Sequence, residues 1–101
     1  MKTNLNIPFT DMFGNPAKID GKSSTVGHQI AFMLFNLGEI SSRPLTPDEK
    51  FRAYTLSVKI ANADSEVELS KEDADFIIRA AGSSFAAGAY GQIKELLSKI
   101  Q

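Results

Sequence analysis

Apolar residues between positions 24 and 38 recur at spacings of three and four, which is typical of one face of an α-helix. These residues are Val26, Ile30, Met33, Leu34 and Leu37. Ser24 or Thr25 can cap the start of the helix, and Gly38 is a residue type that commonly follows a helix end. Phe32 and Phe35 extend the apolar surface round the other side. The pattern predicts a first helix that is buried on several sides or covered by a partner.

The segment LTPDEK predicts the start of a second helix. Thr46 can act as the N-cap, Pro47 suits the first helical position, and Glu49 completes a capping box. The helical pattern continues to about Ala63. One apolar stripe consists of Phe51, Tyr54, Val58 and Ala61. A second stripe, nearly opposite, consists of Ala53, Leu56 and Ile60. Because two sides are apolar, we expect this helix to be packed on both.

Two further helices follow an acidic connection. Ser70 and Asp73 form a second capping-box pattern at the start of the third helix, and Gly82 is predicted to end it. Its expected buried face consists of Ala74, Ile77, Ile78 and Ala81. Ser83 or Ser84 is then predicted to cap the last helix. The apolar positions of that helix are Phe85, Ala89, Ile93, Leu96 and Ile100.

The first 24 residues contain many turn formers and predict no helix. Leu5, Ile7 and Phe9 alternate with polar or turn residues, as in a short strand. The segment FGNP reads as a turn, after which AKI can return as a second strand. This region is therefore predicted to be a short β-hairpin or an extended arm.

The length and the four helical patterns together predict one mainly α domain over residues 1–101. Residues 1–24 form the hairpin or arm, and residues 25–101 form a four-helix bundle. The chain has no cysteine, which excludes disulfides and thiolate chemistry. Its net charge of −1 creates no field that would gather nucleic acid or an anionic membrane. The longest fully apolar run is too short to span a bilayer, so we expect a soluble intracellular protein.

The stretch from Asn62 to Asp73 has the twelve-residue length of a calcium-binding loop. The positions that match such a loop are Asn62, Asp64, Glu66 and Leu69. Val67 replaces the glycine that permits the sharp turn, and Asp73 replaces the bidentate glutamate. Asp73 is also expected to cap the next helix. The stretch is therefore interpreted as a solvated acidic turn, and no metal site is predicted.

No group of residues predicts an enzyme. His28 is the single histidine, and without a nucleophile motif or a second metal ligand we expect it to be partly buried with one hydrogen bond. The segment DGKSST contains Gly-Lys-Ser before a helix but lacks the upstream glycine of a phosphate loop. We predict no catalytic residue and no cofactor.

The order of several segments is similar to that of a known family. These segments are PFTDMFGNP, TVGHQIAFML, LTPDEKFRAYTLSVKI, VELSKEDADFIIRAAG and AYGQIKELL. Over nearly the whole chain they resemble small, functionally uncharacterised helical proteins encoded in phage and prophage genomes. The resemblance implies a phage or prophage origin, a small helical fold, and a location in the cytoplasm of a bacterial host or in the virion. The resemblance implies no particular activity and identifies no functional residues in this chain.

The leading functional hypothesis is a non-enzymatic protein that binds another protein, as an assembly component or as a modulator of a host protein. Phe32 and Phe35 are the candidate apolar contacts. Asp64, Glu66 and Glu68 are the candidate polar contacts on an exposed turn. The partner can also be a second copy of the chain, unless one tight bundle hides all the apolar helix surface.

The alternative hypothesis is a DNA-binding regulator or a recombination accessory protein. Its basis is the layout of two helices joined by DSEVEL, which resembles a helix-turn-helix arrangement. The acidic connection argues against close contact with phosphates, because like charges repel.

Overall fold

The described part of the chain contains four helices and six short strands. The structure is a computed structural model and describes residues 2–19 and 22–99. The helices are α1 (Val26–Phe35), α2 (Pro47–Ala61), α3 (Lys71–Ser84) and α4 (Ala87–Leu97). The strands are β1 (Lys2–Asn4), β2 (Lys18–Ile19), β3 (Lys22–Ser23), β4 (Glu39–Ile40), β5 (Arg43–Pro44) and β6 (Glu66–Glu68). The predicted mainly α class is confirmed, and helix α1 contacts α2 and α3 while α3 contacts α4.

The predicted starts of α1, α2 and α3 are confirmed at the level of hydrogen bonds. The hydroxyl of Thr25 accepts a hydrogen bond from the backbone N–H of His28 at 3.1 Å. Both capping boxes are complete, with Thr46 paired to Glu49 and Ser70 paired to Asp73. These caps satisfy N–H groups that have no partner within the helix, so short local motifs suffice to position the starts.

The predicted boundary between the last two helices is wrong. Helix α3 continues through Gly82 to Ser84, and the N-cap of α4 is Ala86, whose side chain makes no capping hydrogen bond. A Cβ atom at Gly82 would lie 3.4 Å from the ring of Tyr90 on α4. Gly82 therefore lies within α3, beside the Tyr90 ring, and does not end the helix.

The N-terminal segment is an arm whose ends pair with different parts of the chain. Strand β1 runs antiparallel to β6, in the register Thr3 opposite Val67. The FGNP turn closes a short antiparallel hairpin, as predicted: Thr10 bridges Pro16, and the N–H of Ala17 donates to the carbonyl oxygen of Phe9 at 2.8 Å. Of the return strand predicted in AKI, Ala17 follows this pairing, whereas Lys18 and Ile19 form β2, which pairs with β3.

Strand β6 lies within the stretch that was predicted to be only an acidic turn. Val67 is buried, whereas Glu66 and Glu68 on either side are exposed. This alternation places one side chain in the core and two in solvent. The connection between α2 and α3 is therefore a paired strand that holds the N-terminal arm against the helices.

One hydrophobic cluster draws on all four helices and on the arm. Its most deeply buried large side chains are Ile30, Leu34, Leu69, Ile77, Ile93 and Leu97. The Cα radius of gyration is 12.9 Å, close to the ~13 Å expected of a 100-residue domain. No helix within the described residues is both long and apolar enough to cross a membrane.

Candidate functional site

The outer side of α1 and α2 carries a group of exposed large apolar side chains. They are Phe32, Phe35, Phe51, Tyr54 and Val58, which are 66%, 64%, 67%, 51% and 41% exposed. We call these five residues the aromatic face. It contains both apolar contacts that the sequence predicts, Phe32 and Phe35, and adds three residues from the outer stripe of α2.

Ring contacts make the aromatic face continuous across the two helices. The ring centroids of Phe35 and Tyr54 are 6.2 Å apart, with planes inclined by 47°. Those of Phe51 and Tyr54 are also 6.2 Å apart, inclined by 34°. Both separations lie within the range of about 4.5–7 Å at which aromatic pairs stabilise each other. Tyr54 therefore links the aromatic residues of α2 to α1.

Within the described residues, α2 is packed on one side and not on both. Its inner stripe, Ala53, Leu56 and Ile60, is buried in the core. Phe51, Tyr54 and Val58 face solvent, because the core is complete without them and no described segment lies over this side of the helix. On α1, Phe32 and Phe35 are likewise not covered by the described residues, so cover by a partner stays the prediction for that helix.

A groove of about 670 Å³ runs beside the aromatic face between α1 and α2. Phe32 and Phe35 line it from α1, Val58 and Ala61 line it from α2, and Asp64 lies beyond the end of α2. The volume falls within the range of sites that bind small molecules or the side chains of a partner. The groove brings three of the five predicted contact residues together.

The other two predicted polar contacts lie outside the groove. Glu66 and Glu68 are exposed on β6, opposite Asn4 and Lys2 respectively in the antiparallel register. They flank the buried Val67 on the sheet. The acidic cluster is therefore divided, with Asp64 beside the apolar contacts and the two glutamates on the edge formed with the arm.

Close packing between α1 and the arm forms part of the groove wall. The N–H of Gly27 donates a hydrogen bond to the carbonyl oxygen of Leu5 at 2.8 Å. A Cβ atom at position 27 would lie 3.0 Å from the Cβ atom of Leu5 and 3.2 Å from its carbonyl oxygen. Glycine thus permits a backbone approach that a side chain would obstruct.

His28 also lines the groove, and the prediction that it is partly buried is wrong. It follows Gly27 near the start of α1 and its side chain is exposed. Among the described residues, no group of three or more His, Cys, Asp or Glu side chains could hold a metal ion.

The Asn62–Asp73 stretch does not have the shape of a calcium loop. Strand β6 occupies its middle. One oxygen of Asp73 accepts a hydrogen bond from the N–H of Ser70, and the other pairs with Arg52 at 2.9 Å. One carboxylate oxygen of Asp73 therefore caps the start of α3, and the other joins α3 to α2 through Arg52.

Two ion pairs fix the edges of α2. Arg43 makes a bidentate pair with Glu49, with N–O distances of 3.1 and 3.0 Å. Hydrogen bonds from Arg43 and from the N–H of Thr46 lower the pKa of Glu49 to about 2. On the other side, the Arg52 guanidinium lies 5.5 Å from the ring centroid of Phe76 while it pairs with Asp73. These contacts hold α2 with its outer stripe turned toward solvent.

A second exposed apolar feature lies at the tip of the FGNP turn, away from the aromatic face. Met12 and Phe13 are 91% and 81% exposed. The Asp11 carboxylate accepts hydrogen bonds from the N–H groups of Phe13 and Asn15, at 2.9 and 3.0 Å. Gly14 completes the turn with a φ of +87°, a value that favours glycine. The sequence predicts this turn, but the exposure of its two apolar side chains was missed.

Gln92 on α4 anchors the base of this turn. Its side-chain carbonyl accepts from the N–H of Thr10, and its amide donates to the carbonyl of Thr10, both at 2.8 Å. The Gly91-Gln92 pair belongs to the segments on which the predicted resemblance to phage proteins rests. Its glutamine thus has a structural role, which is to join the last helix to the N-terminal arm.

Searches for similar proteins found no matching family model, no matching curated protein and no matching solved structure.

Proposed function

We propose that this protein acts by binding another protein through the aromatic face. The observation that carries the proposal is the exposure of four aromatic rings and a valine on one side of two adjacent helices. A fully exposed aromatic side chain has an area of about 150–250 Å². At their observed exposed fractions, the five residues together present on the order of 500 Å² to solvent. That is near the upper end of the largest apolar patch on a typical monomer, and patches of this size are often functional.

The composition of the aromatic face suits a protein partner. Aromatic residues are enriched at the centres of protein interfaces, where they provide a large contact area at little cost in side-chain entropy. The adjacent groove can accept side chains of the partner, and Asp64 at its end can pair with a base. Phe32 and Phe35 are thus the proposed apolar contacts, with Asp64 as the proposed polar contact within reach of the same partner.

The biological setting of the proposal rests on the resemblance to phage and prophage proteins, which stays a prediction. In that setting the chain is a non-enzymatic assembly component or a modulator of a host protein. It would act in the cytoplasm of a bacterial host or in the virion. Glu66 and Glu68 then form a secondary polar surface on β6, separate from the aromatic face.

The proposal is tested by retrieving the partner from a lysate of the source organism with tagged protein, with and without nuclease. A protein that is retained after nuclease and lost on substitution of Phe32 and Phe35 by alanine supports it. The matched control is Met12→Ala, which removes an apolar side chain that is more exposed but lies elsewhere. Retention of the same partner by the Phe32→Ala, Phe35→Ala variant contradicts the role of the face.

The same experiment addresses the DNA-binding alternative. Partners that disappear with nuclease, together with a gel shift of duplex DNA at low salt, would favour a nucleic-acid function. Of the basic residues on α2, Arg52 is already paired with Asp73, and Lys50 and Lys59 are exposed.

A further inference from the structure

We infer that the partner of the aromatic face is a second copy of the same chain, related to the first by a two-fold axis. The inference rests on the proposed function and names its partner. In this arrangement the α1–α2 pair of one copy packs on the α1–α2 pair of the other. The same five residues are then buried on both sides, as an isologous interface requires.

The surface area of the chain is larger than that expected of a compact monomer of the same mass. A monomeric protein of 11.0 kDa is expected to expose about 5,600 Å². This chain exposes 6388 Å², although its radius of gyration is that of a compact domain. The difference is roughly the 800 Å² that each partner buries in an interface of standard size. The aromatic face supplies on the order of 500 Å² of that area as apolar side chains.

Charges beside the aromatic face complement those of a second copy in one orientation. Asp48 and Lys59 are both exposed on α2 and are eleven residues apart, which is about three helical turns. They therefore lie along the same edge of the helix, at opposite ends. A two-fold axis near Tyr54 that makes the two α2 helices antiparallel places Asp48 of each copy beside Lys59 of the other. The interface then contains two opposite-charge contacts and no like-charge contact along this edge.

Sedimentation equilibrium of the purified full-length chain tests the inference. We expect a reversible dimer at micromolar concentration. Phe51→Ser should weaken it on the order of 100-fold, because the substitution occurs twice in a symmetric interface. The matched control is Phe13→Ser, the same change at a more exposed phenylalanine outside the face. It should leave the dimer unchanged, and circular dichroism establishes that both variants are folded.

Charge reversal tests the orientation of the dimer independently. Asp48→Lys and Lys59→Asp should each weaken self-association several-fold, because each creates two like-charge contacts. An equimolar mixture of the two single variants should form a heterodimer at wild-type strength, since every contact along this edge is then between opposite charges. A mixture no stronger than the single variants overturns the antiparallel arrangement.

The outcomes separate this inference from the proposed function. A chain that stays monomeric up to millimolar concentration overturns the second-copy inference, as does a dimer that Phe13→Ser dissociates and Phe51→Ser does not. If that monomer still retains a different, nuclease-resistant protein through the aromatic face, the proposed function stands with another partner. If that monomer retains no protein partner, both the second-copy inference and the proposed function are contradicted.

Discussion

Single residues with no functional chemistry of their own define the shape of the aromatic face and of the groove beside it. Gly27 allows the arm to lie against α1 at backbone distance, and Leu5 is buried beside it. Tyr54 joins the aromatic residues of both helices through its contacts with Phe35 and Phe51. A sequence pattern identifies such residues as glycine or aromatic, but it does not identify their neighbours.

Substitution of Gly27 by alanine should destabilise the protein. The added Cβ atom would meet the backbone of Leu5, so the arm must shift, at a cost of about 1–3 kcal/mol in the free energy of unfolding. Gly91→Ala is the matched control, because a Cβ atom there has no neighbour within 4 Å and alanine favours the helix by about 0.5–1 kcal/mol. Urea unfolding of both variants measures the difference. Equal stability of the two variants would refute the close-packing argument.

Glu49 should make the stability of the fold depend on acidic pH. Its pKa is about 2 in the folded chain and 4.5 as a free side chain, so its contribution is full above pH 4.5. That contribution is lost as the pH falls from 4.5 toward 2, when the carboxylate becomes protonated. In Glu49→Gln the melting temperature should fall less steeply over this range than in the wild type. The control Glu95→Gln, at an exposed position of α4, should keep the wild-type slope.

At the scale of secondary-structure elements, the sequence patterns that correctly predicted structure are local ones. The starts of α2 and α3 are determined by residues three positions apart, so the sequence alone locates them. The pairing of β1 with β6 joins segments more than sixty residues apart. No local pattern in either segment indicates which other segment it pairs with. The alternation around Val67 was present in the sequence, but the acidic neighbours favoured the interpretation of a turn.

The hairpin of β4 and β5 was also missed, because its turn has an unusual sequence. Ser41 and Ser42 have φ values of 52° and 64°, a conformation in which glycine and asparagine are common and serine is not. The segment was therefore interpreted as part of a linker.

Ser42→Gly should stabilise this hairpin. Glycine adopts a positive φ without the steric penalty of a Cβ atom, so the free energy of unfolding should rise by about 1 kcal/mol. The control is Ser98→Gly, at a residue with a φ of −67° in the right-handed region, where glycine should destabilise or have no effect. Thermal unfolding of the two variants gives the comparison, and a destabilised Ser42→Gly would show that the serine has another role.

At the scale of the whole molecule, the sequence predicted the helical class and the excess of apolar helix surface. It did not show which apolar residues the core uses. Phe51, Tyr54 and Val58 have the same helical spacing as a buried stripe, and only the assembled fold leaves them in solvent. Phe32 and Phe35 were predicted as contacts on the same ground. Asp64 lines the groove beside them, whereas Glu66 and Glu68 lie on strand β6, which the sequence pattern did not predict.

The most direct test of the account is a comparison of two identical substitutions, Phe51→Ser and Phe13→Ser. Both replace an exposed phenylalanine, but only Phe51 belongs to the aromatic face. Each should leave the melting temperature within a few degrees of the wild type, because neither side chain contributes to the core. The decisive measurement is the dissociation constant of each variant for its partner, whether that is a second copy or another protein. We predict that Phe51→Ser weakens binding at least tenfold and that Phe13→Ser does not. Equal affinities of the two variants would contradict the assignment of the aromatic face as the binding surface.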